Sequence, residues 1–257
     1  MKVYLLQAKY IISGLALLPV SPLLYIQGRI TRWKVGLLPE AEDPCGVSGT
    51  GERVERLAVI GDSTVAGLGA RTHSRALAGC FAKALAEKRG CRIEWFALGK
   101  NGATAGDVVK SILPKANLDN VDHILFGVGG NDVLKLTPPV TFRKNIQKLI
   151  YHTRQKAPRA RIYFTNCPMI IASPVLPQPI KRILWELSKM HDKNMRMMSA
   201  ESAKASGFYY FPQPTDVTRD GFFADGIHPS EKGYADWAEA MVEYFCRRED
   251  PLNGHIA

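Results

Sequence analysis

The chain has 257 residues, of which 34 are lysine or arginine and 24 are aspartate or glutamate, so its formal net charge is +10. This length suffices for one α/β domain with a buried core and a short extension, and the composition is that of an ordinary globular protein. The positive charge suits an anionic membrane surface, nucleic acid or solubility alone. Because the basic residues are scattered and form no tail-like block, we expect no nucleic acid partner.

The five cysteines exclude two further classes of protein. Their number is odd and no Cys-x-x-Cys pair occurs, so neither a zinc site nor a disulfide framework is visible. No clustered set of histidine, cysteine and carboxylate side chains has the spacing of metal ligands, and we expect no metal. This use of cysteine favours reduced thiols.

In chain order, the first element is a hydrophobic segment at residues 1–35, almost wholly apolar from Tyr10 to Ile26. This run is about as short as a membrane-crossing helix can be, and Pro19 and Pro22 argue against a long straight helix. Three interpretations remain: a membrane anchor, which we favour, an arm packed on the domain, and a cleaved signal peptide that lacks a small-x-small site. Basic residues flank both sides of the run: Lys2, Lys9, Arg29, Arg32 and Lys34.

The rest of the chain is predicted to form a linker over 36–55, one folded domain over 56–248 and a tail over 249–257. Within the domain, apolar patterns of strand and helix length alternate. This alternation predicts a parallel sheet with helices on both faces, in which ligands bind outside the carboxyl ends of the strands. Strands are predicted at 57–60, 92–98, 121–128, 161–166 and 208–211, and helices at 74–89, 103–113, 139–157, 180–206 and 230–247.

Three motifs carry residues suited to nucleophilic catalysis. Ser63 ends Gly-Asp-Ser directly after the strand at 57–60, and Asn131 lies in Gly-Gly-Asn-Asp after the strand at 121–128. Far downstream, Asp225 and His228 are three residues apart. A serine needs a base, imidazole titrates near the working pH, and a carboxylate can fix its tautomer. We therefore predict Ser63 as nucleophile, His228 as base and Asp225 as its orienter.

Together with the Asn101-Gly102 turn, these motifs resemble the four blocks of the SGNH (GDSL-like) hydrolase family, in matching order and spacing from residue 57 to about 245. The resemblance implies a three-layer α/β/α sandwich with a flavodoxin-like parallel sheet, and ester hydrolysis without metal or cofactor. The family letters map onto Ser63, Gly102, Asn131 and His228. One departure is Thr64, where the family often has leucine, and we interpret this position as a packing detail.

The tetrahedral oxygen of ester hydrolysis needs hydrogen-bond donors. The backbone N–H groups of Ser63 and Gly102 and the side-chain amide of Asn131 can supply three. Each residue also has a structural interpretation: Ser63 as a helix N-cap, Asn131 as a turn residue and His228 as the start of the last helix. We expect Asp62 to bond the loop around the serine, and Asp132 to be a turn residue.

The loop over 167–179 is more hydrophobic than an ordinary loop. It follows the fourth predicted strand, so it either walls an acyl pocket or covers the sheet edge and contacts the N-terminal arm. The function we predict is a serine esterase or lipase acting on small-molecule or lipid esters, with possible membrane association. The alternatives are an O-deacetylase or acyltransferase with the same site, and a membrane-tethered binding protein with an inactive site.

Overall fold

The five predicted strands and one further strand form a six-stranded sheet in the computed structural model, which describes residues 2–202, 207–215 and 220–249. Positions 203–206 of the predicted helix over 180–206, and positions 250–257 of the predicted tail, lie outside the described residues. Across the sheet the order is β1-β3-β2-β4-β5-β6. The strands are β1 (Cys45–Ser48), β2 (Val54–Gly61), β3 (Arg92–Gly99), β4 (His123–Gly127), β5 (Arg161–Phe164) and β6 (Tyr209–Tyr210).

Eight α-helices are present in the described part of the chain, and most follow the predicted pattern. Helix α3 ends at Gly90, whose φ of 59° provides the left-handed C-cap that this glycine predicts. Helix α4 is only three residues long and continues as a π turn and a 3₁₀ turn up to Lys115. The helices are α1 (Lys2–Leu17), α2 (Ser21–Val35), α3 (Leu77–Arg89), α4 (Ala105–Asp107), α5 (Gly130–Leu134), α6 (Pro139–Lys156), α7 (Ile180–Ser202) and α8 (Glu231–Glu249).

The five strands β2 to β6 are mutually parallel, and their order is that of a flavodoxin-like sheet. This confirms the predicted fold class. Strands β3 and β4 lie on opposite sides of β2, so the chain turns one way across the sheet after β2 and the other way after β3. The carboxyl ends of β2 and β4 therefore form the switch point, which is where ligands bind in such sheets.

The two faces of the sheet carry separate halves of the core. Alternate residues of β2 point to opposite faces, so Val59 packs with α3 and α8 while Ile60 packs with the layer that includes α6. Phe81 and Phe245 fill the first half and Phe142 the second, all of them almost fully buried. The sandwich is thus closed on both sides, and only the rim at the strand ends is free for chemistry.

The prediction of 36–55 as a linker is wrong over β1. This strand pairs antiparallel with β3, from Cys45 opposite Phe96 to Ser48 opposite Ile93, and so adds an edge to the sheet. The Trp95 indole covers it and donates to Ser48 Oγ at 3.1 Å. Four residues that include a glycine and a serine carry too weak a β-pattern to be recognised in sequence.

The N-terminal segment forms two helices, α1 and α2, joined by a 3₁₀ turn at Leu18–Val20. Leu6 is buried against Leu187 and Met190 of α7. The Tyr10 hydroxyl donates to the Leu136 carbonyl at 2.7 Å, so the segment is packed on the domain. Many of its apolar side chains nevertheless remain exposed: Tyr4, Leu5, Ile11, Ile12, Leu15, Leu18, Leu23, Tyr25, Ile26, Ile30 and Trp33.

Among the described residues, the stretch Lys2–Val35 alone is long and apolar enough to cross a membrane, judged by length and composition. The same properties fit a membrane anchor or a signal sequence. The contacts of α1 with α7 also fit the remaining interpretation, in which the segment is an arm packed on the domain.

Candidate active site

The loop that carries Ser63 is fixed by close backbone contacts at the ends of β2, β3 and β4. A Cβ atom at Gly61 would lie 2.0 Å from the Gly127 carbonyl oxygen, and one at Gly99 would lie 2.2 Å from the Ala66 nitrogen. Only glycine permits such approaches. The Asp62 N–H donates to the Gly127 carbonyl at 3.0 Å, so Ser63 is held at the switch point.

Asp62 supports this loop from inside, as expected from the sequence. Its Oδ1 atom accepts hydrogen bonds from the Thr64 N–H at 3.0 Å and from the Thr64 hydroxyl at 2.9 Å. Burial raises the pKa of Asp62, while the bonds from Thr64 act in the opposite direction. Thr64 is the departure from the family pattern. A leucine at this position would keep the N–H bond to Asp62 but would lack the hydroxyl bond.

The structure brings Ser63, His228 and Asp225 into one chain of hydrogen bonds. The Ser63 hydroxyl lies 3.1 Å from His228 Nε2, and His228 Nδ1 lies 2.8 Å from Asp225 Oδ2. Burial alone would raise the pKa of Asp225, but its hydrogen bonds with His228 and Ile227 hold it below the ordinary value. The carboxylate is thus ionised beside the imidazole, which favours the tautomer with hydrogen on Nδ1.

Backbone contacts fix the loop that carries Asp225 and His228. Asp225 Oδ1 accepts from the N–H groups of Ile227 at 2.9 Å and His228 at 2.7 Å. The Ser173 hydroxyl donates to the Gly226 carbonyl at 2.7 Å, which ties in the loop after β5. The three-residue spacing therefore closes a tight turn that presents the imidazole to Ser63.

Ser63, Gly102 and Asn131, the three residues predicted to donate to the oxyanion, line one cleft. Gly102 has a φ of +79°, a conformation that favours glycine. Within the described residues, the N–H groups of Ser63 and Gly102 find no acceptor. The Asn131 amide donates one hydrogen to the Ala103 carbonyl at 3.1 Å, which leaves its second hydrogen available.

Two residues that the sequence interpretation missed hold the Gly102 loop against α5. Asp132, predicted as a turn residue, lies fully buried in α5, and its Oδ2 atom accepts from the Ala105 N–H at 2.8 Å. Burial raises the pKa of Asp132 to about 6. Lys135 Nζ donates to the Gly102 carbonyl at 2.8 Å. The sequence did contain one indication that Lys135 belongs to the site: it lies four residues after Asn131, a spacing that places two residues on the same helix face.

The predicted nucleophile, base and oxyanion donors all line one cleft of about 2080 Å³. The other walls are mainly apolar and come from α1, α2, α7 and the loop after β5. That loop contributes Met169, Ile170 and Leu176, and its Gln178 carbonyl accepts from Gln27 of α2 at 2.9 Å. The loop therefore lines the cleft and also contacts the N-terminal arm. Among the described residues, no group of three His, Cys, Asp or Glu side chains could hold a metal ion.

Residues 59–235 match the sequence model of the GDSL-like Lipase/Acylhydrolase family, over more than half of the chain. Solved structures that resemble this fold include a lipase from a goat rumen metagenome, at 16% identity and a TM-score of 0.58 over 75% of this chain and 96% of that one. A family 3 carbohydrate esterase of Clostridium thermocellum has 18% identity and a TM-score of 0.55 over 78% of this chain and 99% of that one. A lipase/acylhydrolase of Enterococcus faecalis has 20% identity and a TM-score of 0.51 over 76% of this chain and 96% of that one.

At these identities the likeness to solved structures concerns the fold, and no curated protein sequence matches the chain. The family match covers all the elements from β2 to the start of α8, including both motifs that follow β2 and β4 and the Asp-x-x-His motif. The chain therefore belongs to the GDSL-like lipase/acylhydrolase family of SGNH hydrolases and is an ester-bond hydrolase.

Proposed function

We propose that the protein is a serine esterase or lipase that cleaves carboxylic esters through an acyl-enzyme on Ser63. The observation that carries this proposal is the hydrogen-bonded chain from the Ser63 hydroxyl at 3.1 Å to His228 and from His228 at 2.8 Å to Asp225. A nucleophile, a base and an orienting carboxylate in this arrangement are the requirements for acyl transfer.

In the first step, Ser63 Oγ attacks the ester carbonyl carbon while His228 Nε2 takes the hydroxyl proton. The carbonyl oxygen becomes an oxyanion, which the free N–H groups of Ser63 and Gly102 and the second amide hydrogen of Asn131 can bind. His228 then gives its proton to the alcohol oxygen, and the C–O bond breaks. Water attacks the acyl-enzyme by the same route, with His228 as base, and releases the carboxylic acid.

The walls of the cleft favour an ester with a hydrocarbon acyl group. Leucine, isoleucine and methionine side chains dominate them, whereas recognition of a sugar would need many polar groups. For this reason we place lipid and alkyl esters ahead of carbohydrate O-acetyl groups. The same acyl-enzyme could pass its acyl group to an alcohol, and product analysis with and without added alcohol distinguishes hydrolase from acyltransferase.

An organophosphonate that labels activated serines tests the assignment of the nucleophile. Wild-type protein should be labelled at Ser63 and lose its esterase activity, and Ser63→Ala should neither be labelled nor hydrolyse p-nitrophenyl butanoate. Ser74→Ala, at an exposed serine bonded to Thr72 at 2.8 Å, is the matched control and should behave as wild type. Labelling of another serine, with activity retained in Ser63→Ala, would refute the assignment and leave a binding protein as the better interpretation.

We also propose that α1 and α2 bind the protein to a membrane surface. Many of their apolar side chains are exposed, with Trp33 82% exposed, and exposed cations lie on the same helices, a combination that suits a membrane interface. Each cation near an anionic surface contributes about 1 kcal/mol, or roughly fivefold in binding.

Co-sedimentation with vesicles containing anionic lipid tests this attachment. Wild type should pellet with the vesicles, Trp33→Ser should bind several-fold more weakly, and Tyr151→Ser, at an exposed tyrosine of α6, should be unaffected. Full-length protein that stays in the supernatant with every vesicle would refute the membrane role.

A further inference from the structure

The helices α1 and α2 form one wall of the cleft that contains the candidate active site. Lining residues from both helices border the same cleft as Ser63 and His228. Two of them are glycines inside helices, where glycine costs stability relative to alanine. A Cβ at Gly14 would meet no atom within 4 Å, and one at Gly28 would meet only Ile180 Cδ1, at 3.7 Å. The glycines thus border open space.

The wall is held in place by specific contacts with the domain. The Tyr10 hydroxyl bonds the Leu136 carbonyl at 2.7 Å, and the Gln27 amide bonds the Gln178 carbonyl at 2.9 Å. Gln7 Oε1 accepts from the Val140 N–H at 3.2 Å. These bonds reach two separate parts of the domain, the stretch from the end of α5 to the start of α6 and the loop after β5, and so hold the helical pair beside the cleft.

A further apolar surface of the cleft belongs to the domain itself. It comes from Leu176 in the loop after β5 and from Leu184 and Leu187 of α7. On the N-terminal side, Leu15 and Leu24 line the same space. A volume of about 2080 Å³ exceeds the roughly 300–1,000 Å³ of ordinary small-molecule pockets, so the cleft has room for a larger ligand. A cleft of this size with mainly apolar walls fits a long hydrocarbon chain.

We infer that α1 and α2 are part of the substrate site: the cleft accepts esters of long-chain acyl groups, and the chain runs from Ser63 along this helical wall. The inference rests on the proposed esterase function and specifies its substrate. Each methylene buried against the wall should raise kcat/KM by up to roughly fourfold, until the chain outgrows the cleft. The enzyme should therefore prefer long-chain over four-carbon esters.

Leucine side chains placed on the wall test this role in the full-length protein. Gly14→Leu and Gly28→Leu should lower kcat/KM for p-nitrophenyl palmitate at least tenfold and change that for the butanoate less than twofold. Ala8→Leu makes a similar addition at an exposed position of α1 that does not line the cleft, and it should leave both rates unchanged. Thermal melting shows whether each variant is folded. If Gly28→Leu does not fold, Gly14→Leu, where the added carbon meets nothing, decides the test.

The outcomes separate this inference from the proposed function. Wild type that hydrolyses both esters, with both leucine variants unaffected on palmitate, overturns the helical wall but leaves the esterase intact. An equal loss on both esters in the leucine variants also overturns it, because chain selection requires a difference. Failure of wild type to hydrolyse any ester, with Ser63 unlabelled, refutes the proposed function itself.

Discussion

Replacing Asp225 by asparagine tests the proposed triad most directly. The carboxylate accepts three hydrogen bonds: Oδ2 from His228 Nδ1 at 2.8 Å, and Oδ1 from the N–H groups of Ile227 at 2.9 Å and His228 at 2.7 Å. An amide of the same shape has one acceptor oxygen and one donor nitrogen. It can serve the two backbone groups or the imidazole, but not both.

Either orientation of the asparagine harms catalysis. With its oxygen towards the backbone, its NH₂ faces His228 Nδ1, so the ring proton moves to Nε2 and points at the Ser63 hydroxyl. The base can then no longer take the serine proton. With its oxygen towards the imidazole, its NH₂ opposes two N–H donors and the turn is destabilised. We expect kcat to fall roughly 10³- to 10⁴-fold, equivalent to about 4–5.5 kcal/mol of transition-state stabilisation.

The assay is the initial rate of p-nitrophenyl butanoate hydrolysis at pH 7.5, a pH within the usual working range of an imidazole base, together with a thermal melt. Asp236→Asn is the matched control, because Asp236 is an exposed carboxylate of α8 bonded to Lys232. It should retain full activity. A folded Asp225→Asn protein with more than a tenth of wild-type kcat would show that Asp225 does not orient the base.

Three further predictions follow from the described contacts. Asn131→Ala should reduce kcat roughly 100- to 1000-fold with a smaller change in KM, whereas a raised KM with unchanged kcat would make Asn131 a residue that positions substrate. Glu55 lies 2.7 Å from the buried His123, and that hydrogen bond is the main cause that lowers its pKa to about 2. Because the unfolded chain binds more protons between that pKa and about 4.5, Glu55→Gln should cost about 1–2 kcal/mol of unfolding free energy at pH 7, allowing for solvent screening. In urea titrations this difference should be complete above about pH 4.5 and shrink as pH falls towards about 2, and a constant difference would contradict the linkage. Dialysis against EDTA should leave esterase activity intact, and a loss restored by zinc would contradict the mechanism.

Much of the fold could be predicted because its signals are local. The strand before Ser63 is a run of buried apolar residues, and Gly90 marks the end of α3 by a conformation that few other residues adopt. Alternation of such elements implies a parallel sheet, and topology then collects the strand ends on one rim. This topology predicts that Ser63 and Asn131, which follow the first and third predicted strands, lie on the same rim.

What could not be predicted depends on contacts between distant segments. Strand β1 exists because β3 offers it a partner and Trp95 covers it, not because of its own sequence. The pattern around Asp132 predicts a turn residue, because its bond to the Ala105 N–H comes from a segment 27 residues earlier in the chain. Similarly, an apolar N-terminal run has the same composition whether it crosses a membrane or packs on α7. Pairing over long sequence separations has no local signature.

The short edge strands have a consequence for self-association. A long open edge would offer unpaired N–H and C=O groups to strands of other molecules and promote aggregation. Here the four residues of β1 close off the longer strand β3, and the opposite edge, β6, is only two residues long. Neither border can template an added strand of useful length. We therefore expect any assembly of copies to form through helical surfaces, and the sheet itself to resist fibril growth when the protein is concentrated.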